Sequence, residues 1–420
     1  MAAARLALLG LWCLWAPVWA AAPLTLEQAL ATADEPTPEL RLAEARRALA
    51  GAGVQAAGVP LGTRLEGRAR ARWIEPPAAF AYLGREDHAL QLALSKTLTD
   101  FGTTRRAKAR ATALDEAARW QWMGARQARR YAILDRFFEV VLADLDYAYR
   151  NEAMSIAYVR FDRLRDRARL GQRSELDLRA AEVRYLETRQ AVYAAQVRQR
   201  ATRARLALAM NRPDDLPEAV QPPDPRSLLR PVPEWEAIRA RLEEGNPRLL
   251  AARARVDAAR AALARVGARP SLAVEALTGA YSRSSPGNGP WQAGLTLSWP
   301  LLTGGAVGAE RARARAELAA AEADLEAVRR EEAQAALEDW LALEALRAAW
   351  DEAEARLAYR ELYLDRARLR YEQEVESDLG DAMVELTAAQ LNRHRVAYDY
   401  ARARARLLAR TGRLLEARWP

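Results

Sequence analysis

Trp291-Gln292-Ala293-Gly294-Leu295-Thr296-Leu297-Ser298-Trp299-Pro300-Leu301 decides how this chain must fold. Successive side chains of a strand point to opposite sides. Trp291, Ala293, Leu295, Leu297, Trp299 and Leu301 therefore share one face, and Gln292, Gly294, Thr296 and Ser298 the other. Such a segment matches a transmembrane β-strand of ~9–11 residues, apolar toward lipid and polar toward a lumen, with aromatic residues at its flanks. A soluble hairpin alternates in the same way, so the weight comes from repetition. Residues 90–98 put Leu90, Leu92, Leu94 and Leu98 on one face and Gln91, Ala93, Ser95 and Thr97 on the other. Partner strands are predicted over 65–73 and 272–281, joined to these by Pro- and Gly-bearing loops over 75–87 and 282–290. Four strands cannot close a barrel, and an open sheet edge cannot sit in lipid. A chain crossing a membrane this way must oligomerise, and three copies would supply about twelve strands.

The strand pairs belong to an internal duplication. Leu92-Ala93-Leu94-Ser95 aligns with Leu295-Thr296-Leu297-Ser298, and at the same spacing Lys108-Ala109-Arg110-Ala111 aligns with Arg311-Ala312-Arg313-Ala314. Two positions closer, Asp177-Leu178-Arg179-Ala180-Ala181 matches Asp378-Leu379-Gly380-Asp381-Ala382, and Arg205-Leu206-Ala207 matches Arg406-Leu407-Leu408. The seam, 211–233, holds prolines 213, 217, 222, 223, 225, 231 and 233, which excludes helix and central strand and predicts a semi-rigid connector. The expected organisation is a signal peptide over 1–20, a first repeat over 21–210, the connector, and a second repeat over 234–420.

Each repeat carries a long helix. Residues 103–169 contain no Pro and only Gly124, and would span about 100 Å as a helix at ~1.5 Å per residue. The second copy runs over 306–373, interrupted only by Gly308. Leu343, Leu346, Trp350, Ala353, Leu357 and Leu364 follow a spacing of three and four, as do Val140, Ala143, Tyr147, Met154, Ala157 and Phe161, the pattern of a narrow coiled-coil seam. A break and a second helix follow in each repeat, over 174–210 and 377–411, so each is a strand pair followed by a very long helical hairpin.

Composition fits this plan. The net charge is +8 with a pI near 9.8, but only Lys96 and Lys108 are lysines, and the arginines are interleaved with Glu and Ala. That is the pattern of solvated helix faces laced with i,i+4 pairs, not of a nucleic-acid patch. Beyond the N-terminus no run reaches the ~18 apolar residues of a transmembrane helix. Cys13 is the sole cysteine and His88 and His394 the only histidines, so neither a disulfide nor a cysteine- or histidine-rich metal site is expected. No phosphate-cradling loop, nucleophile elbow or metal-ligand spacing is present, and no enzymatic role or cofactor is expected. Ser155 and His394, the nearest triad ingredients, lie on helical patterns. Met1 to Ala22 reads as a secretory signal: Arg5, an apolar run from Leu6 to Val18, and Val18-Trp19-Ala20 as the cleavage site. An uncleaved anchor and lipid attachment at Cys13 are the alternatives.

Leu24-Thr25-Leu26-Glu27-Gln28-Ala29-Leu30, Asn246-Pro247-Arg248-Leu249, Leu98-Thr99-Asp100-Phe101-Gly102, Leu301-Leu302-Thr303-Gly304-Gly305, Asp378-Leu379-Gly380-Asp381-Ala382, Ala397-Tyr398-Asp399-Tyr400 and Thr411-Gly412 occur in an order that resembles the TolC-like outer-membrane factors of bacterial efflux and type I secretion systems. The resemblance covers essentially the whole chain after the signal. It implies a mixed α/β homotrimer with one shared twelve-stranded transmembrane β-barrel above a long periplasmic α-helical barrel. It also implies passive export driven by an inner-membrane pump through a periplasmic adaptor. A soluble periplasmic coiled-coil adaptor or scaffold is the alternative.

Asp378 and Asp381, three apart, are expected on one helix face. They match the family's aspartates at the periplasmic entrance, where carboxylate rings attract cations. A solvated first helical turn is the competing reading. Asp177 is the equivalent in the first repeat, although Ser174-Glu175-Leu176-Asp177 also reads as a helix cap. Leu170-Gly171-Gln172 resembles the family's adaptor-contacting tip or is a plain turn. Its second copy, Tyr371-Glu372-Gln373, has Glu where Gly stands in the first. Arg68, Arg70 and Arg72 would each lose ~2–4 kcal/mol facing lipid at mid-membrane, so they are expected in the lumen, neutralised or not by Glu75, Glu86 and Asp87. Trp291, Leu295, Leu297, Trp299, Leu92 and Leu94 are expected toward lipid, and Lys96, which breaks that face, at a barrel rim.

Overall fold

The computed structural model describes residues 23–75, 78, 85–282, 289–373 and 378–420. The expected signal peptide, Cys13, most of both strand-joining loops and residues 374–377 lie outside these. The elements run α1 (Leu26–Ala31), α2 (Pro38–Gly58), β1 (Thr63–Arg70), β2 (Ala89–Thr99), α3 (Thr103–Arg169), α4 (Glu175–Ala209), α5 (Pro225–Leu228), α6 (Trp235–Gly245), α7 (Pro247–Arg265), β3 (Ser271–Tyr281), β4 (Trp291–Ser298), α8 (Ala306–Glu372) and α9 (Leu379–Arg410). The succession helix, two strands, 67-residue helix, shorter helix occurs twice.

The helices preceding the strands start by one device. Thr37 and Asn246 cap α2 and α7, each accepting from the backbone N–H three residues on, and Pro38 and Pro247 occupy the first turn, where a missing N–H is harmless. At the strand-to-helix junctions both copies use two successive left-handed residues: Phe101 and Gly102 at φ +53° and +88°, Gly304 and Gly305 at +56° and +85°. Glycine suits this conformation and phenylalanine does not. Asp100 stabilises the first junction by accepting from the N–H groups of Gly102 (3.1 Å) and Thr104 (2.7 Å).

The strands form one antiparallel sheet in the order β1-β2-β3-β4. Register aligns Leu65, Leu94, Ala276 and Ala293 across it, and Gly67, Leu92, Thr278 and Trp291 beside them. The alternating apolar sets thus combine into one face. On that face Leu65, Leu92, Leu94, Trp291, Leu295 and Leu297 are all exposed. The opposite face aligns Arg64 with Ser95, Glu275 and Gly294, and Arg68 with Gln91 and Gly279. Two strand ends fall short of expectation. β1 stops at Arg70, three residues before Trp73, which pairs only in an isolated bridge with Glu86. β4 stops at Ser298, because Pro300 has no N–H to give a ladder and biases its predecessor.

The heptad seams are buried in part: Val140 and Ala143 on α3, and Leu343, Trp350, Ala353 and Leu364 on α8, are buried, whereas Tyr147, Met154, Ala157, Phe161, Leu346 and Leu357 are half-buried. The main core lies midway along the hairpins, where α1, α3, α4, α5 and α9 meet around Phe137, Phe138 and Tyr398. The rings of Phe138 and Tyr398 stack at 4.6 Å, 3° from parallel. The segment 211–233 is more than a spacer, and the expectation that it excludes helix is wrong. Pro225 opens the short helix α5, capped by Asp224, and its Leu228 is fully buried. Proline is barred from helix interiors, not from the first turn. The segment also pairs in parallel with the chain start, Leu24 N–H donating to Ala219 O (3.0 Å) and Gln221 N–H to Leu24 O (2.9 Å).

The short sequence motifs acquire physical roles here. Thr25 and Gln28 form a reciprocal capping box on α1, whose Leu26, Ala29 and Leu30 are buried. Asn246, besides capping α7, donates to the buried Glu332 (3.0 Å), which Arg248 and Arg410 also hold. Arg410 and Arg406 share Asp339 at 3.0 and 2.6 Å. Gly412 follows because a side chain there would meet the carbonyl of Gly245 at 2.4 Å. Among the described residues no helix is long and apolar enough to cross a membrane.

Candidate functional site

The candidate entrance lies where the long hairpins end. The α3–α4 turn closes on Gly171 at φ +71°, with Leu170, Gly171 and Gln172 donating back to Asp166 (3.2 Å), Ala168 (3.0 Å) and Arg167 (2.9 Å). Left-handed geometry explains the glycine at this position. Leu170 is exposed on the turn. At the other hairpin α8 ends at Glu372, with Gln373 as its C-cap donating to Leu369 O (3.1 Å).

Asp378 and Asp381 do not share a helix face. Asp378 precedes α9 as its N-cap, at φ −93° and ψ +31°, whereas Asp381 lies in the first turn. Their partners differ accordingly. The Tyr363 hydroxyl, on α8, donates to the Asp378 carboxylate. That bond, then Asp378's own backbone N–H, then the charges of Arg370 and Arg366, hold the Asp378 carboxyl below its ordinary value. The same bond pushes the Tyr363 hydroxyl up. Asp381 pairs with Arg160 of α3 at 2.6 Å. One turn further on, Arg360 of α8 pairs with Glu385 of α9. Gly380 lets α9 approach α3 closely, since a Cβ there would meet the Ile156 side chain at 2.8 Å. Polar ties thus join α9 to α8 and to α3 within one chain. Tyr363, Arg160, Arg360 and Glu385 are beyond sequence reasoning, because their pairings cross helices 15 to more than 200 residues apart.

Asp177 stands at the third position of α4, its N–H donating to Ser174 Oγ at 3.1 Å, as a cap requires. It has no counterpart to the Tyr363 contact among the described hydrogen bonds.

At the sheet, Arg68 pairs with Glu66 (2.9 Å), and Arg70 lies 3.7 Å from Asp87. Arg72, beyond the end of β1, donates from Nε to the same buried carboxylate at 2.7 Å. The basic stripe expected from sequence is therefore locally balanced by Glu66 and Asp87. Among the described residues no group of three or more Asp, Glu, His or Cys is placed to hold a metal ion.

Residues 239–413 match the outer membrane efflux protein family. The fold carries the rest of the comparison. It is similar to the CmeC outer membrane channel of Campylobacter jejuni at 16% identity, with TM-score 0.76 over 93% of this chain and 86% of that one. It is similar also to the outer membrane protein VceC of Vibrio cholerae at 18% identity, with TM-score 0.75 over 92% and 96%. The MtrE channel of Neisseria gonorrhoeae, solved in its open state, is 20% identical, with TM-score 0.67 over 93% and 89%. The family match thus falls on the second repeat, and the whole chain shares the fold of solved outer membrane channels. No curated protein matches it in sequence.

Proposed function

We propose that three copies of this chain join their sheets edge to edge into a twelve-stranded barrel. The barrel would open into a helical duct that passively exports solutes for a tripartite efflux pump or a type I secretion system. One observation carries this reading: an antiparallel sheet whose apolar face is exposed on β1, β2 and β4 and whose outer strands, β1 and β4, pair on one side only among the described residues. Lipid covers such a face, and neighbouring β1 and β4 strands satisfy the open edges. The polar face with Arg64, Glu66, Arg68 and Gln91 then lines the lumen.

In this assembly Asp378 and Asp381 constrict the periplasmic entrance, and Asp177 stands beside it. Leu170, Gly171, Gln172, Glu372 and Gln373 meet the periplasmic adaptor, which couples the duct to an inner-membrane pump. The duct itself performs no catalysis.

The test is fractionation of cells making the full-length chain, followed by the native mass of the detergent-extracted protein. An outer-membrane trimer supports the reading, and a soluble monomer overturns it. Cysteines placed at Arg64 in β1 and Thr296 in β4 should trap intermolecular disulfides in the cell envelope.

A further inference from the structure

Resting on the outer-membrane reading, we propose that the helix-facing end of the sheet holds the phosphate of a glycerophospholipid in the periplasmic leaflet, seated on Arg105, Arg106 and Arg269 with Phe101 inserted among its acyl chains. Three guanidinium groups converge there on one short piece of backbone. Arg106, from the first turn of α3, donates from Nη1 to the carbonyls of Gly102 (3.0 Å) and Phe101 (3.4 Å). Arg269, just before β3, donates to the same Phe101 carbonyl at 3.2 Å. Arg105 brings its guanidinium to 3.8 Å from where a Cβ on Gly102 would lie.

Among the described residues none of the three is within 4 Å of an acidic side chain. The carboxylate next in sequence, Asp100, is taken up by the N–H groups of Gly102 and Thr104. Arg269 also donates to the Ala264 carbonyl (3.2 Å), and its Nε is buried without a partner, while Arg105 is exposed. Clustered guanidinium groups without a carboxylate partner suit a phosphate, which accepts planar paired donors.

The surroundings select a lipid as its source. The cluster lies at the end of the sheet where β2 leads into α3 and β3 begins. Lys96 stands on that face in register with Val274 and Leu295, near the strand ends that run into the helices. Past β4, Leu301 and Leu302 are 81% and 94% exposed. Exposed apolar and aromatic side chains beside cations are what the interface of a bilayer accommodates. The repeat adds an independent sign. Where the second junction has Gly304, the first places Phe101 at φ +53°, 51% exposed. A bulky residue in a conformation it rarely adopts is retained where its side chain is used.

Native mass spectrometry of the full-length, detergent-extracted protein with phosphatidylglycerol added tests this. The unaltered chain should retain phosphatidylglycerol. Arg105→Gln/Arg106→Gln/Arg269→Gln should retain it about a hundredfold more weakly, at about fivefold per cation. Phe101→Gly, which relieves the backbone and keeps every cation, should weaken retention roughly tenfold and remain folded. Equal retention by Phe101→Gly and by the triple variant overturns the proposal, as does displacement of the lipid by millimolar inorganic phosphate alone. A chain that reaches the outer membrane yet retains no lipid sinks this inference and leaves the duct intact. A chain absent from the outer membrane sinks the duct reading itself.

Discussion

The hydroxyl of Tyr363, near the end of α8, donates to the carboxylate of Asp378, which stands at the N-cap position of α9. The bond spans the turn of the second hairpin and fixes the direction in which the last helix leaves the tip. An acidic residue proposed for the entrance is thus held by its own chain before any neighbour is added. Removing this tie should loosen the constriction. Tyr363→Phe and Asp378→Ala should each raise single-channel conductance in planar bilayers, and Asp378→Ala should also weaken block by multivalent cations. Unchanged conductance and block in both variants would exclude a gating role.

The same bond sets a pH dependence. Asp378 titrates below its ordinary 3.8 because Tyr363, its own backbone N–H, Arg370 and Arg366 favour the carboxylate. With a depressed folded value, the stabilising contact is complete above 3.8 and is lost as pH falls through the lower, folded value. Conductance should stay flat from neutral pH to about pH 4 and rise only in stronger acid. A rise between pH 7 and pH 5 would point to another group.

Arg160 and Asp381 tie α3 to α9 at 2.6 Å, with both side chains about half exposed. An exposed pair contributes only about 0.2–1 kcal/mol. Its loss should therefore show in gating and leave the melting temperature nearly unchanged. Arg160→Glu should raise conductance by repulsion from Asp381, and Arg160→Glu/Asp381→Arg should restore it. Failure of the double variant to restore closure would mean that Asp381 acts through a different partner.

Leu295 lies on the exposed apolar face, in register with Val274 and Lys96. Leu295→Arg should cost about 2–4 kcal/mol where the face meets mid-membrane lipid, and less toward the interface. Reduced outer-membrane trimer after fractionation is the expected result. Thr296→Arg, on the opposite face, should assemble normally and alter ion selectivity. Normal assembly of Leu295→Arg would show that this face does not meet lipid.

Glu332 is 2% exposed and held by Arg248, Arg410 and Asn246. Removing one member of a buried charged pair costs about 3–5 kcal/mol, because the other charge is left uncompensated. Glu332→Ala should lower the thermal transition strongly, whereas Glu332→Met/Arg410→Met should recover much of it. A single variant as stable as the unaltered chain would show the network to be dispensable.

The strand alternation of 291–298 and the Pro-free span of 103–169 were readable because each is a local rule. A period of two places side chains on faces, and the absence of helix breakers lets a helix run on. Those rules settled the sheet and the long helices without any contact being known. Pro225 misled for the same reason, since its effect depends on whether it falls in a helix's first turn or its interior. Tertiary structure alone decided what the charges do. Asp87 faces Arg70 and Arg72, Arg160 finds Asp381 some 220 residues later, and Asp378 turns toward Tyr363 instead of lining up with Asp381. Composition fixes how many charges a chain carries. Which of them are offset is a matter of Coulomb energies over a few ångströms, and those distances exist only once helices far apart in sequence have packed together.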